Sequence, residues 1–263
     1  KTLNKKAYIV IDNPTSSIIP LMNTFRDNQD YEADMFVNNH EAKEIMDDNT
    51  LLVVVDTNKP SITQCEDLLY MAKMIVVLDH HRQGSDTIRN SVLSYIEPYA
   101  SSASEMVAEI LQYFTEGIRI RNVEADSIYA GIMIDTDNFM QKTGVRTFEA
   151  AAFLRRCGAD VTRVRKLFRE DMNDYKARGE TIRNAELFRG QFAISECPSD
   201  YVDSPTVVGA QAANELLNIV GVKASFVLTE YKGVIYISAR AIDEVNVQII
   251  MERMGGGGHL NMA

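Results

Sequence analysis

The 263-residue sequence contains no tryptophan and only three cysteines. Cys65, Cys157 and Cys197 are odd in number and never fall in a C-x-x-C spacing. That argues against a disulfide framework or a zinc ribbon and fits a reducing compartment. No stretch approaches the roughly 18–20 apolar residues of a membrane span, and no basic-then-apolar leader opens the chain. The expectation is a soluble piece. A basic excess is also missing: 27 Lys+Arg stand against 37 Asp+Glu, a net charge of −10. A protein held on long nucleic acid by phosphate neutralisation needs the opposite sign. A small phosphorylated ligand gripped through metal ions remains compatible with this balance.

What is present is enough apolar material for a core. Hydrophobic residues make up 46% of the chain, and the length suits one large or two small domains. Three short runs, Tyr8–Ile11, Leu51–Val55 and Ile75–Leu78, each end in an aspartate: Asp12, Asp56 and Asp79. Such Val/Ile-rich runs read as strands buried on both faces. Between the first two, Asn39-His40-Glu41-Ala42-Lys43-Glu44 reads as a capped helix start with acid in its first turn. Strands alternating with helices imply parallel βαβ units, whose ligands sit beyond the strands' carboxyl ends, where the aspartates fall. Helical patterns then cover 102–114, 123–134, 148–156 and, with breaks, 161–184. Past about residue 185 the pattern becomes two short strands, a helix near 206–218, a hairpin around Tyr231-Lys232-Gly233, and a helix from Val247 to Met254. The expected fold is α/β: a parallel-sheet domain with flanking helices over 1–170, a helical linker over 171–187, and a smaller mixed-sheet α/β domain over 188–263.

Asp79-His80-His81 is the sharpest chemical signal, because half of the chain's four histidines follow one strand-terminal aspartate. Imidazole with carboxylate suits Mn²⁺, Fe²⁺ or Zn²⁺. The plainer reading is a helix cap in which Asp79 accepts backbone N–H groups. Asp56 has the same choice between ligand and turn former. Asp135 ends an apolar helix, Gly131-Ile132-Met133-Ile134-Asp135. The helix macrodipole is negative there and calls for a compensating cation. Asp12, followed by Asn13-Pro14, reads as a turn residue. Gly255-Gly256-Gly257-Gly258-His259 could aim backbone N–H groups at a phosphate, or could simply end a helix. Ser238-Ala239-Arg240 ends a strand and offers a further phosphate donor or an ordinary surface arginine. Asn246 is an N-cap, and Met71, Met74, Met106 and Met133 read as core filler.

Taken in order, Asp56-Thr57, Asp79-His80-His81, Asp135-Thr136 and Gly256-Gly257-Gly258-His259 resemble the DHH/DHHA1 phosphoesterase family, over almost the whole chain. The segments Leu52–Pro60, Glu97–Ser102, Gly144–Phe148 and Val245–Ile250 look like its GdpP-type cyclic-di-AMP phosphodiesterases. The resemblance implies a DHH domain followed by a DHHA1 domain and a Mn²⁺-dependent enzyme with two ions. Asp56 would bridge the ions, and His80 and Asp135 would complete one of them. His81 and Asp79 would be catalytic, with His81 near the scissile phosphate. Arg240, Ser238, Gly256, Gly257, Gly258 and His259 would hold the nucleotide. The implied chemistry is two-metal attack of hydroxide in line on phosphorus, with the 3′-oxygen leaving, so that cyclic-di-AMP opens to linear pApA. A homodimer acting on a dinucleotide rather than on long nucleic acid is implied as well. The resemblance also makes this the cytoplasmic catalytic part of a longer protein in the bacterial cell membrane. The chain departs from the family in one place. No His-x-x-x-Asp-x-Asp element precedes Asp56, and His40 is followed by Glu-Ala-Lys instead. The expectation is that Lys1 lies just downstream of that motif and that the DHHA1 end is also clipped. Two other readings stay open: a hydrolase of short oligonucleotides such as pApA, and a non-catalytic cyclic-dinucleotide sensor.

Overall fold

The computed structural model describes residues 5–15, 18–32, 34–114, 116–242, 245–257 and 262–263. The chain divides into two units, Lys1–Phe168 and Arg169–Ala263.

The first unit runs β1 (Ile9–Val10), α1 (Ile19–Arg26), β2 (Phe36–Val37), α2 (Asn39–Ile45), β3 (Leu51–Val55), α3 (Asp67–Met71), β4 (Met74–Asp79), β5 (Leu93–Ile96), α4 (Ala103–Tyr113), α5 (Asn122–Asp135), α6 (Val145–Arg156) and α7 (Val161–Leu167). Sequence patterning anticipates β1, β3 and β4 and most of the helices. It does not anticipate β2 or β5, which have two and four residues and carry too little periodicity to register. Strands β3, β4 and β5 form a parallel sheet in that order, and β1 and β2 pair separately, also parallel. Helix α2 starts on a capping box, with the Asn38 side chain accepting from the Glu41 N–H and Glu41 accepting from the Asn38 N–H.

One expectation needs correction. Strand β3 is not buried on both faces: Leu52 and Val54 pack inward, while Leu51, Val53 and Val55 are each about half exposed. A strand at the edge of a sheet with one covered face alternates in burial even when its sequence does not. The neighbouring β4 carries Ile75, Val77 and Asp79 on its buried face. Helices α4 to α7 build a separate alanine-rich core around Ala108, Ala125, Ala130, Ile132, Leu154 and Val164. Small side chains let these helices approach closely. At Gly131 an added Cβ would lie 2.1 Å from Ser104 Oγ.

The second unit runs α8 (Met172–Arg183), β6 (Glu186–Phe188), β7 (Phe192–Cys197), α9 (Pro205–Leu216), β8 (Ala224–Tyr231), β9 (Val234–Ala241) and α10 (Val247–Arg253). Its sheet has the order β6-β7-β8-β9. The β7–β8 pair is parallel and bridged by α9, and the other two pairs are antiparallel. The β8–β9 hairpin turns on Lys232 and Gly233, both at positive φ (53° and 75°), as a two-residue type I′ turn requires. The segment 171–187 is not a linker. It forms α8 and β6, and Ala177 is fully buried in a core with Val208, Ala212, Leu216 and Val227. An amphipathic helix with buried small residues belongs to the domain that covers it. Among the described residues no helix is long and apolar enough to cross a membrane.

Candidate metal centre

The site is assembled at the carboxyl end of the β3–β4–β5 sheet. Asp56 follows β3, and its N–H still bonds the Leu78 carbonyl at 3.0 Å, so the ladder continues to the last position. Its backbone then turns left-handed, at φ 63°. Aspartate tolerates this conformation better than bulkier residues do. The carboxylate comes within 3.2 Å of His80 Nε2 (Asp56 Oδ1), and Asp135 Oδ2, from the last residue of α5, lies 3.9 Å from the same nitrogen. Ligand atoms of Asp56, His80 and His81 all lie within 4.8 Å of one another.

Each imidazole is oriented from behind. His80 Nδ1 faces the Ala100 carbonyl at 3.3 Å. A carbonyl only accepts, so Nδ1 carries the hydrogen and Nε2 of the neutral ring is left with a lone pair. His81 Nδ1 lies 2.7 Å from Asp79 Oδ1, which leaves its Nε2 free as well. Asp79, whose expected role is catalytic, is fully buried with both oxygens occupied. Oδ1 accepts from the His81 N–H at 3.1 Å and faces the His81 ring, while Oδ2 accepts from Asn58 Nδ2 at 2.5 Å. These contacts fix the ring and backbone of His81. Both plain and functional readings of Asp79 meet here, since it also caps the local backbone. Asn58, buried and bridging Asp79 to the His81 carbonyl, has no role in the sequence reading. The only hint of it is its place two residues after Asp56.

The electrostatics call for a cation. The Asp56 hydrogen bond, above all, holds the His80 imidazole above its usual pKa; partial burial opposes this, and the Ala100 carbonyl and the Asp135 charge add to it. Burial first, and then the Asp56 charge, push the Asp135 carboxyl above the usual carboxylate range. Two carboxylates and two imidazoles, with one carboxylate destabilised by the other, make a donor set suited to a divalent transition metal. The residues present fit such an ion.

In the second unit, Ser238 and Arg240 lie on one face of β9, in register with Val227 and Ser225 of β8. The Arg240 guanidinium donates to Asn214 Oδ1 at 2.8 Å and to the carbonyls of Ala239 and Ala263 at 2.9 and 3.2 Å. Among the described residues no carboxylate pairs with it, and burial lowers its pKa. The glycine run divides. Gly255 adopts φ 86° and ends α10, and the Gly256 N–H donates to the Met251 carbonyl at 2.9 Å. This is a helix C-cap of the Schellman type. The Gly256 N–H, expected to face a phosphate, is therefore spent inside the cap. Gly257 has open space around it. Gly258 and His259 lie outside the described residues.

Family models match both parts of the chain: the DHH family N-terminal domain over residues 8–132 and the DHHA1 domain over residues 191–263. The chain belongs to the DHH/DHHA1 phosphoesterase family. Among curated relatives it is 42% identical, over 99% of its length, to the cyclic-di-AMP phosphodiesterase GdpP of Bacillus subtilis (strain 168). It is 39% identical, over 99% of its length, to the cyclic-di-AMP phosphodiesterase PdeA of Listeria monocytogenes serotype 1/2a (strain 10403S). The chain spans 40% of the length of each of these relatives. A solved structure of an exopolyphosphatase-related protein from Bacteroides fragilis superposes with a TM-score of 0.82, covering 99% of this chain and 78% of that one. At 20% identity this likeness shows the fold alone.

Proposed function

We propose that the chain is the catalytic part of a metal-dependent phosphodiesterase that opens cyclic-di-AMP to linear pApA. The observation that carries this reading is the convergence of Asp56, His80 and His81 within 4.8 Å at the carboxyl end of a parallel sheet. The names of the similar relatives direct it toward cyclic-di-AMP. Asp56, His80 and Asp135 would hold a divalent ion, with Mn²⁺ the proposed species and two ions the proposed complement. When bound, such ions supply Lewis acidity toward the phosphoryl oxygens and acidify water. Asp56 and Asp135 would supply the negative charge to retain them. The Ala100 carbonyl keeps the hydrogen of His80 on Nδ1, so that Nε2 stays available as a donor atom. Asp79 does the same for His81, whose Nε2 would then face an oxygen of the scissile phosphate. Arg240, which no Asp or Glu pairs among the described residues, is the proposed phosphate contact of the DHHA1 unit, with Ser238, Gly257, Gly258 and His259. The same reading makes this the cytoplasmic part of a longer, membrane-anchored protein that works as a homodimer.

The test is product analysis with Mn²⁺, offering cyclic-di-AMP and pApA separately to the wild type and to Asp56→Ala. The expected result is pApA from the cyclic substrate and no turnover by the variant. An unchanged rate in Asp56→Ala would overturn the site. Faster cleavage of pApA than of cyclic-di-AMP would instead assign the site to short linear oligonucleotides.

A further inference from the structure

We propose that Tyr99 is a stacking platform for a base of the bound dinucleotide beside the metal centre. This inference rests on the reading in the preceding section and names a base-contact residue for it. Tyr99 is 92% exposed. A tyrosine that packs in a core or interface buries about 150–250 Å², and this ring forgoes nearly all of that burial. Among the described residues no other ring and no cation lies over it.

The backbone beneath the ring is nonetheless fixed on every side. The Glu97 N–H bonds the Asp79 carbonyl at 2.9 Å, so the segment leaves β5 still tied to the strand that carries the two histidines. The Ala100 N–H closes a turn onto the Glu97 carbonyl at 3.0 Å. The Tyr99 N–H itself donates to Glu97 Oε1 at 3.2 Å. The other carboxylate oxygen of Glu97 lies 3.5 Å from Arg146, which is held in a two-pronged pair by Glu109 of α4, at 2.7 Å for each contact. The ring of Pro98 locks its own φ. The next residue, Ala100, gives its carbonyl to His80. Consecutive Cα atoms are about 3.8 Å apart, so the exposed ring is rooted one residue from the group that orients a metal-site histidine.

A free aromatic face on a rigid mount is preorganised for a flat apolar partner, since little further ordering is required on binding. A phosphodiester held at the metal centre carries its nucleosides outward from that point, and a purine is the flat partner such a substrate offers. Stacking on an aromatic side chain requires only a base's π-face, so the contact tolerates either face of the adenine.

The absence of tryptophan from the 263 residues supplies the test. Tyr99→Trp introduces one indole into an otherwise tryptophan-free chain. Its fluorescence is titrated with a non-hydrolysable phosphorothioate analogue of cyclic-di-AMP in the presence of Mn²⁺, with ribose 5-phosphate as the baseless probe. The expected result is saturable quenching by the dinucleotide and none by the sugar phosphate. Calorimetry should show Tyr99→Ala binding the analogue about 10- to 100-fold more weakly, with Tyr99→Phe close to wild type. Mn²⁺ affinity of Tyr99→Ala reports that the turn still holds His80. If the wild type binds the analogue while the indole stays silent and Tyr99→Ala binds as tightly, the platform is overturned and the phosphodiesterase reading stands. If the wild type does not bind the analogue at all, that reading falls and the platform with it.

Discussion

His80 sits between two carboxylates, with Nε2 at 3.2 Å from Asp56 and 3.9 Å from Asp135, and its fate depends on what neutralises them. Without an ion these carboxylates favour a proton on His80, and the imidazole is held above its usual pKa, chiefly by the Asp56 hydrogen bond. The sign follows from linkage. A raised histidine binds its proton more tightly in the folded state. The stability it contributes is fully present below the unfolded value of about 6.5 and is lost as pH rises through the higher folded value. A divalent ion needs the unprotonated ring, so proton and metal compete. We therefore expect Mn²⁺ affinity, measured by calorimetry, to rise by up to about tenfold per pH unit until the pH passes the raised folded value of His80, and to level off once His80 is neutral. Asp135 acts in the same direction, because a carboxyl raised by burial and by a neighbouring anion is relieved by either a proton or a cation. A pH-independent Mn²⁺ affinity across that range would remove His80 from the ligand set.

Placement of these side chains falls to elements whose geometry is set some distance away. Asp135 is carried by α5, and α5 touches α4 at Gly131, where an added Cβ would stand 2.1 Å from Ser104 Oγ and 3.0 Å from Ser104 Cβ. Gly131→Ala should therefore destabilise the first unit by about 1–3 kcal/mol through overpacking and weaken Mn²⁺ binding by displacing α5. Adding Ser104→Ala removes the closer contact and should restore part of both, as thermal melts and calorimetry would show. The glycine appears in the sequence as one residue of an apolar helix, and nothing local distinguishes it from a propensity defect. Strand-terminal Asp56 and Asp79 were legible because a run of β-branched residues ending in an acid is a local pattern. The left-handed backbone that turns Asp56 toward His80 is not local, and neither is the burial of Asp79 against Asn58. The glycine run was legible as special but ambiguous. The structure shows that Gly255 and Gly256 cap α10, because helix carbonyls at a C-terminus need partners.

Each of the two units has its own core, the first built around β3–β5 and α4–α7 and the second around α8, α9 and the four-stranded sheet. All of the metal-site residues Asp56, His80, His81 and Asp135 lie in the first. Separate cores unfold as separate cooperative units unless their interface is large. The expected behaviour is two thermal transitions, only one of which moves when Mn²⁺ is added, by about 2.7 kcal/mol at a hundredfold excess over Kd. Scanning calorimetry with and without the ion checks this, and a single transition shifted as a whole would contradict it.

The amino-acid sequence alone determined the α/β class, the strand-end aspartates, the pair of histidines and the family, since each is written in short runs and in their order. Tertiary structure alone decided which of those residues meet. It drew Asp135 from a helix terminus to His80, recruited Asn58 and the Ala100 carbonyl, buried Asp79, and assigned α8 to the second unit. Those outcomes depend on contacts between residues tens of positions apart, and a chain's local pattern carries no record of which distant groups will share a core or a charge.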